Sequence, residues 1–337
     1  MAGQTKTIRW GILSTARIGV EKFIPAIGRS QTGTTVAIAS RGLERAKAAA
    51  ADLGIPKAYG SYEELLADPD IDAIYNPLPN HLHVPLTIQA VEAGKHVLCE
   101  KPVALNAEEA RQLLTLPKDR LVAEGFMVRA HPQWIRAREI VRSGELGELR
   151  AIQSFFSYYN ADPGNIRNMA DIGGGALLDI GCYPMVAARY FFEAEPSRAL
   201  SMIDRDPVMK TDRLSSGILD FGEGRRLDFT VSTQMVPYQR VNLYGTKKRL
   251  EIVIPFNAPQ QQETVIRLDD GSILGDGAVI SETIAPSDQY AELVDTFGRS
   301  ILGDIKLPYG PEDAVQNMAI LDALFASEKT DGWAAIG

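Results

Sequence analysis

Tyr183, Lys101 and Asp179 are the side chains in this chain whose types and spacing suit moving a proton at a hydroxyl group. A phenol with its ordinary pKa of about 10 is a poor base at neutral pH. A neighbouring ammonium favours the phenolate and lowers that value. Lys101 follows the apolar run Lys95-His-Val-Leu-Cys99, and the carboxyl ends of parallel strands are where open α/β sheets bind ligands. We therefore expect Tyr183 to be a general acid/base and Lys101 to tune and orient it. Asp179 precedes Tyr183 by four residues, so the two share a face if that stretch is helical. Pro184 requires a kink or a helix start there. Asp179 then either bonds substrate hydroxyls or holds Lys101; the plain alternative is an acidic residue complementing a helix N-terminus.

The elements that must carry these side chains alternate through the first third of the chain. Strand-like runs at Thr7–Leu13, Thr34–Ser40, Asp72–Asn76, Lys95–Cys99 and Leu121–Gly125 are separated by helical patterns at Leu43–Leu53, Tyr62–Ala67, His81–Ala93 and Ala107–Leu114. Short strands alternating with helices imply a parallel sheet with right-handed crossovers, an α/β arrangement. After about residue 126 the rhythm changes. A helix at Pro132–Ser143 and a strand at Leu149–Tyr159 precede Gly173-Gly-Gly175, which opens an apolar helical segment reaching Phe192. Leu200–Ile203, Ser215–Phe221, Leu227–Gln234, Val241–Tyr244 and Leu250–Ile254 then read as strands without intervening helices, hence a largely antiparallel sheet. Helical spacing returns at Pro311–Lys329. The expected domains are residues 1–126 and 127–337.

The turn after the first strand decides what such a sheet could bind. A dinucleotide site has G-x-G-x-x-G there; this chain has Ser14-Thr15-Ala16-Arg17-Ile18-Gly19, with only the last glycine. Ser14 and Ala16 are small enough for backbone N–H groups to approach a pyrophosphate at a helix N-terminus. At the end of the second strand, where an NAD enzyme carries an acid for the ribose, the sequence offers Ser40 and Arg41, with Arg45 one turn on. A hydroxyl and guanidiniums suit a 2′-phosphate, which an acid would repel. The expectation is NADP rather than NAD; the alternative is that Arg41 and Arg45 simply solvate a helix.

Three segments carry a wider likeness: Tyr75-Asn-Pro-Leu-Pro-Asn-His-Leu-His83, Gly94-Lys-His-Val-Leu-Cys-Glu-Lys-Pro102 and Gly173-Gly-Gly-Ala-Leu-Leu-Asp-Ile-Gly-Cys-Tyr183. Together, and in this order, the chain resembles the Gfo/Idh/MocA oxidoreductases. The Asp-x-x-x-Tyr form of the third segment is similar to the branch of glucose–fructose oxidoreductase, dimeric dihydrodiol dehydrogenase and NADP-dependent D-xylose dehydrogenase. The resemblance implies an N-terminal Rossmann dinucleotide-binding domain and a C-terminal α+β domain with a large, mostly antiparallel open sheet. It implies catalysis by Lys101 and Tyr183. It also implies a sugar or polyol substrate and a homodimer or homotetramer assembled through the sheet. The implied reaction is NADP-dependent oxidation of an aldose, of D-xylose or glucose type, to its lactone. The rivals are NADPH-dependent reduction of a sugar or dicarbonyl, oxidation of a trans-dihydrodiol, and a non-catalytic nucleotide sensor.

Leu78, Pro79, Asn80 and His83 are expected to line the ribose and nicotinamide pocket, and Glu100 to bond cofactor or helix backbone. Arg129, Asn165 and Arg167 are candidates for the carboxamide or sugar oxygens; interdomain ion pairing is the alternative for the arginines. Tyr158, Tyr159 and Tyr238 have flat faces and hydroxyls that suit a sugar, although aromatics on a sheet are commonly packing. His81 and His83 lack a third ligand of metal spacing, so no metal is expected. His96 reads as a satisfied core histidine.

Composition excludes other classes. The 337 residues, at about 150 per domain, suggest about two domains. The charge of −8 argues against nucleic-acid binding, whose phosphate contacts need a basic face. No apolar run reaches the length of a membrane span. Two cysteines, Cys99 and Cys182, cannot build a disulfide framework, which points to the cytoplasm. Neither Gly-x-Ser-x-Gly nor an activated cysteine is present.

Overall fold

The computed structural model describes residues 7–337. Two compact units emerge: the chain up to Met127 with Asp288–Val315, and Val128–Ser287 with Gln316–Gly337. The segment Asp288–Val315, expected in the second domain, thus belongs with the first unit. The cause is apolar burial. On the helix Gln289–Leu302, Val294 and Phe297 are 0% and 1% exposed in a core shared with Ile8, Trp10, Phe23 and Ile27.

In the first unit the strands are β1 (Ile8–Leu13), β2 (Gly33–Ala39), β3 (Lys57–Tyr59), β4 (Ala73–Asn76), β5 (His96–Cys99) and β6 (Val122–Glu124). They form one sheet in the order β3-β2-β1-β4-β5-β6, every pairing parallel. The intervening helices are α1 (Ile24–Arg29), α2 (Leu43–Leu53), α3 (Tyr62–Leu66), α4 (His83–Glu92) and α5 (Ala107–Arg111). Strand β3 went unread because Lys57-Ala-Tyr59 is too short to show a period. Local chemistry sets the helix starts. Ser61 Oγ accepts from Glu64 N at 3.1 Å at the head of α3, and Asn106 Oδ1 accepts from Glu109 N at 2.8 Å at the head of α5. Strand order reverses between β1 and β4, which makes the carboxyl ends of these two strands the topological switch point.

The second unit holds a nine-stranded sheet of β7 (Leu149–Tyr159), β8 (Arg198–Arg205), β9 (Asp212–Asp220), β10 (Arg226–Ser232), β11 (Gln234–Gly245), β12 (Arg249–Ile252), β13 (Thr264–Asp269), β14 (Ile280–Ile284) and β15 (Ala334–Ala335). Its order is β14-β13-β12-β11-β7-β10-β9-β8-β15. All pairings are antiparallel except β10 with β7. Ile152, Phe156, Leu227, Phe229, Val241 and Leu243 point to the buried face, which α6 (Pro132–Arg142) and α7 (Cys182–Phe192) pack against. The opposite face, with Gln153, Phe155, Asp228, Thr230, Arg240 and Asn242, lines an open groove of about 910 Å³. The sequence reading stopped at Ile254 and resumed at Pro311, missing β13, β14 and the helix Gln289–Leu302. That helix did carry a signal: Asp288 caps it through Tyr290 N at 3.1 Å, and its apolar residues recur at helical spacing. Among the described residues no helix is long and apolar enough to cross a membrane.

Candidate active site

Each unit holds its own part of the candidate set. In the first, β1 ends at Leu13 and Ser14 adopts φ +74°, the left-handed region a first glycine would occupy. Ser14 stays there because its Oγ accepts from Ala16 N at 3.1 Å, holding the turn from within. Thr15, Ala16 and Ile18 are half-buried; Arg17 lies on the surface, paired with Glu21 at 2.8 Å. A π-helical turn, Gly19–Phe23, leads into α1. A Cβ added at Gly19 would come no nearer than 3.6 Å to Pro77. Its glycine is therefore not demanded by space.

Beyond β2, Ser40 is buried and its N–H donates to Tyr59 O at 3.2 Å. Arg41 and Arg45 are exposed and flank Tyr62. Burial raises the Tyr62 pKa, and the two guanidiniums oppose that rise. Among the described residues, neither guanidinium makes a hydrogen bond or ion pair within the protein. No acid occupies the end of the strand. Two uncommitted guanidiniums beside a hydroxyl fit a 2′-phosphate, and with the switch point and the Ser14 turn they suit NADP.

His83 and Glu100 are bonded within the protein. His83 is 1% exposed, with Nδ1 2.7 Å from Pro102 O and Nε2 2.6 Å from Leu78 O. Burial pushes its pKa down to about 4, and the two carbonyls pull the other way. With both ring nitrogens taken, His83 holds the Leu78 and Pro102 loops against each other rather than facing a ligand. Glu100 Oε1 accepts from the buried Tyr75 hydroxyl at 2.6 Å, and Oε2 from Lys101 N at 3.3 Å. Its carboxylate thus serves the strand end that carries Lys101. Leu78 is buried, Pro79 and Asn80 are half-buried, and the Lys101–Pro102 peptide is cis. His96 Nδ1 accepts from Leu121 N at 2.9 Å, as a satisfied core histidine should.

In the second unit the structure brings Tyr158, Arg167 and Asp179 together. Asp179 Oδ2 accepts from the Tyr158 hydroxyl at 2.5 Å and from Arg167 Nε at 3.1 Å. The loop bearing Arg167 is fixed from several sides. Asn165 Oδ1 accepts from Arg167 N at 3.1 Å, Arg167 O accepts from Gly175 N at 2.8 Å, and buried Asn168 donates to Asp162 O at 2.8 Å. Asn165 Oδ1 therefore caps this turn.

Asp179 lies in a π-helical turn, Leu177–Gly181, and Tyr183 in the first turn of α7. The α-helix starts at Cys182, so Pro184 falls in its first turn, with the widened turn Leu177–Gly181 just before it. Tyr183 is 5% exposed and packs against Phe156, centroids 5.7 Å apart, and Phe256 at 5.3 Å. Arg129 is half-buried in the turn Met127–Ala130. Tyr238 belongs elsewhere: it meets Phe155, centroids 5.7 Å apart, on the sheet face opposite Phe156 and Tyr183. Tyr159 is 69% exposed.

Sequence reading missed Tyr75, Asn168 and the two phenylalanines. Tyr75 stood inside a quoted motif, but nothing local marks Phe256 as a neighbour of Tyr183. Both cysteines are buried, and among the described residues no group of three or more His, Cys, Asp or Glu side chains could hold a metal ion.

Comparison with known proteins bears on these features. The model of an oxidoreductase family with an NAD-binding Rossmann fold matches residues 8–124, and the model of the Gfo/Idh/MocA C-terminal domain matches residues 134–251. An uncharacterized oxidoreductase of Rhizobium meliloti is 46% identical, over 98% of this chain and 99% of its own length. A D-xylose 1-dehydrogenase (NADP(+)) of Haloferax volcanii is 38% identical, over 95% of this chain and 97% of its own. The crystal structure of a 3-ketoreductase from Actinomadura kijaniata in complex with NADP and TDP-benzene superposes with a TM-score of 0.89 at 28% identity. It covers 96% of this chain and 98% of that one.

Proposed function

This chain belongs to the Gfo/Idh/MocA oxidoreductases and is an NAD(P)-dependent sugar oxidoreductase; from that premise, we propose that it oxidises an aldose of D-xylose or glucose type at the anomeric carbon, giving the lactone. Bound NADP supplies the hydride acceptor. The single observation that carries the sugar reading is the Tyr158–Asp179–Arg167 cluster, set one helical turn before Tyr183. Such a cluster presents hydroxyl, carboxylate and guanidinium groups to a neutral polyhydroxy molecule, and the aromatic wall around Tyr183 limits access of water to its phenol.

In this reading Tyr183 takes the hydroxyl proton, and Lys101 contributes the positive charge that a developing oxyanion needs. Ser40, Arg41 and Arg45 would hold the 2′-phosphate, and the turn Ser14–Ile18 would present N–H groups to the pyrophosphate. Leu78, Pro79, Asn80 and Arg129 remain assigned to the nicotinamide end.

A panel of aldoses and dicarbonyls with NADP and NAD, followed at the reduced-nicotinamide absorbance, tests the proposal. Turnover of an aldose with NADP is the expected result. Tyr183→Phe should abolish that turnover with NADPH binding intact; a variant turning over at the native rate sinks the assignment. The second reading is NADPH-dependent reduction of a keto sugar, favoured by the likeness to the 3-ketoreductase. The same residues serve it in reverse, and turnover of ketones alone would select it.

We further assign the open sheet face of the second unit to a second copy of the chain. Met202 on β8 is 76% exposed and Tyr238 on β11 48% exposed, at the groove that Phe155 also lines. Light scattering should give a dimer or tetramer, and Phe155→Arg should lower the mass.

A further inference from the structure

Asp212, the first residue of β9, carries a carboxylate that none of these roles uses. It is 1% exposed. Its Oδ2 accepts from Leu177 N at 2.7 Å and from Ser215 Oγ at 3.1 Å. Its Oδ1 presses on the glycine turn so closely that a Cβ at Gly175 would lie 1.9 Å away. Gly175 is the junction of two arms. Its N–H donates to Arg167 O at 2.8 Å, and its carbonyl accepts from Asp179 N at 3.0 Å. The Arg167–Asp179 pair therefore closes a loop whose fixed point is the backbone that Asp212 grips. Arg205, opposite Asp212 in the β8–β9 register, is the cation acting on the carboxylate, and it is itself paired with Glu328 at 2.6 Å.

We propose that Asp212 is a positioning residue: its carboxylate anchors the start of the Leu177–Gly181 turn and so sets where Asp179 and Tyr183 point. This rests on the reading that Asp179 and Tyr183 carry the chemistry. Misplacement of a reacting group by about 1 Å costs about a hundredfold in rate, so an anchor at this point has kinetic consequences although it touches no substrate.

Hydrogen–deuterium exchange of the peptide spanning residues 175–185 reads the anchor without any substrate. D-Xylose with NADP, or the aldose turned over fastest in the panel, reads its consequence. In Asp212→Ala the amides from Leu177 to Tyr183 should exchange at least about tenfold faster. The same variant should lose about a hundredfold in kcat, with the Kd for NADPH unchanged. Asp212→Asn keeps an oxygen for Leu177 N and should restore protection and most of kcat. Should Asp212→Ala fail to fold, Ser215→Ala removes one donor from the same carboxylate and should accelerate exchange in that peptide alone.

Unchanged exchange in Asp212→Ala overturns the anchor. Faster exchange with native kcat overturns the positioning role and leaves the roles of Asp179 and Tyr183 to the Tyr183→Phe test. Native enzyme that turns over no sugar counts against the proposed function alone, because the exchange arm still reports on Asp212.

Discussion

Two helices in this molecule begin alike and are built from opposite residues. In the first unit, Ser14 at φ +74° precedes the π-helical turn Gly19–Phe23, and Pro25 sits at the start of α1. In the second, the glycines ending at Gly175, φ +123°, precede the π-helical turn Leu177–Gly181, and Pro184 sits in the first turn of α7. A proline in a helix lacks the N–H for the carbonyl four residues back and crowds that carbonyl. A widened turn just before it accommodates both defects, which is the shared logic of the two starts.

The glycines differ because the neighbours differ. A Cβ at Gly174 would meet Arg167 O at 2.6 Å and Met169 O at 2.7 Å, and one at Gly175 would strike Asp212. Protein atoms fill the space, so glycine is obligatory. After β1 the turn is held by a serine hydroxyl bonded to its own backbone, and no run of glycines is needed. Glycine count is therefore a poor guide to which turn is the tight one.

The sharpest break of this comparison is Gly175→Ala. Overpacking against Asp212 together with the positive φ should cost about 4 kcal/mol, read as a lower midpoint in chemical denaturation. A variant of native stability would show the second turn to be as tolerant as the first. Next comes the pH dependence of Asp212. Burial raises its pKa to about 6, against the Leu177 and Ser215 hydrogen bonds and Arg205. The folded protein then holds a proton that the unfolded chain releases near pH 4. Stability from this group is present below that pH and lost as pH rises through about 6. Asp212→Asn should flatten the slope between those values and gain about 3 kcal/mol at pH 7.5 relative to acid, measured by urea unfolding at several pH values. An unchanged slope would mean that Asp212 does not titrate there.

Smaller effects belong to the first unit. Arg41→Ala and Arg45→Ala should each weaken NADP by about tenfold, more at low salt, and leave NAD unaffected. Equal losses for both cofactors would assign these arginines to the adenine end generally. Ser14→Ala keeps the left-handed backbone and loses the bond to Ala16 N, so it should cost about 1 kcal/mol in stability. Ser14→Gly relieves the backbone strain and should recover most of that loss; a glycine variant worse than alanine would contradict the turn's account.

Much of the frame was legible in the sequence. The strands of the first unit other than β3 were readable because buried parallel strands are short apolar runs between helices, and β7 because it is long. Lys101, Asp179 and Tyr183 stood out through motif spacing. His83 was expected to line the pocket and Glu100 to bond cofactor or backbone; a polar side chain beside a motif looks the same whether it meets a cofactor or a neighbouring loop. The partners Pro102 O for His83 and Tyr75 for Glu100 lie 19 and 25 residues away in sequence. The helix Gln289–Leu302 was missed although its cap and apolar spacing were present, and its return to the first unit carries no local mark at all.

What the sequence by itself determined was the alternation of strand and helix, the absence of an acid after β2, and the placement of a tyrosine four residues beyond an aspartate. These follow from local propensity and from side-chain chemistry, which depend on neighbours along the chain. Only the tertiary structure decided that Asp179 is held by Tyr158 and Arg167, that Tyr238 faces away, and that a buried carboxylate on β9 grips the glycine turn. Those contacts join residues 12 to 35 positions apart or opposite faces of one sheet. Chain folding brings them within hydrogen-bond distance, and no spacing rule within a single element encodes that proximity.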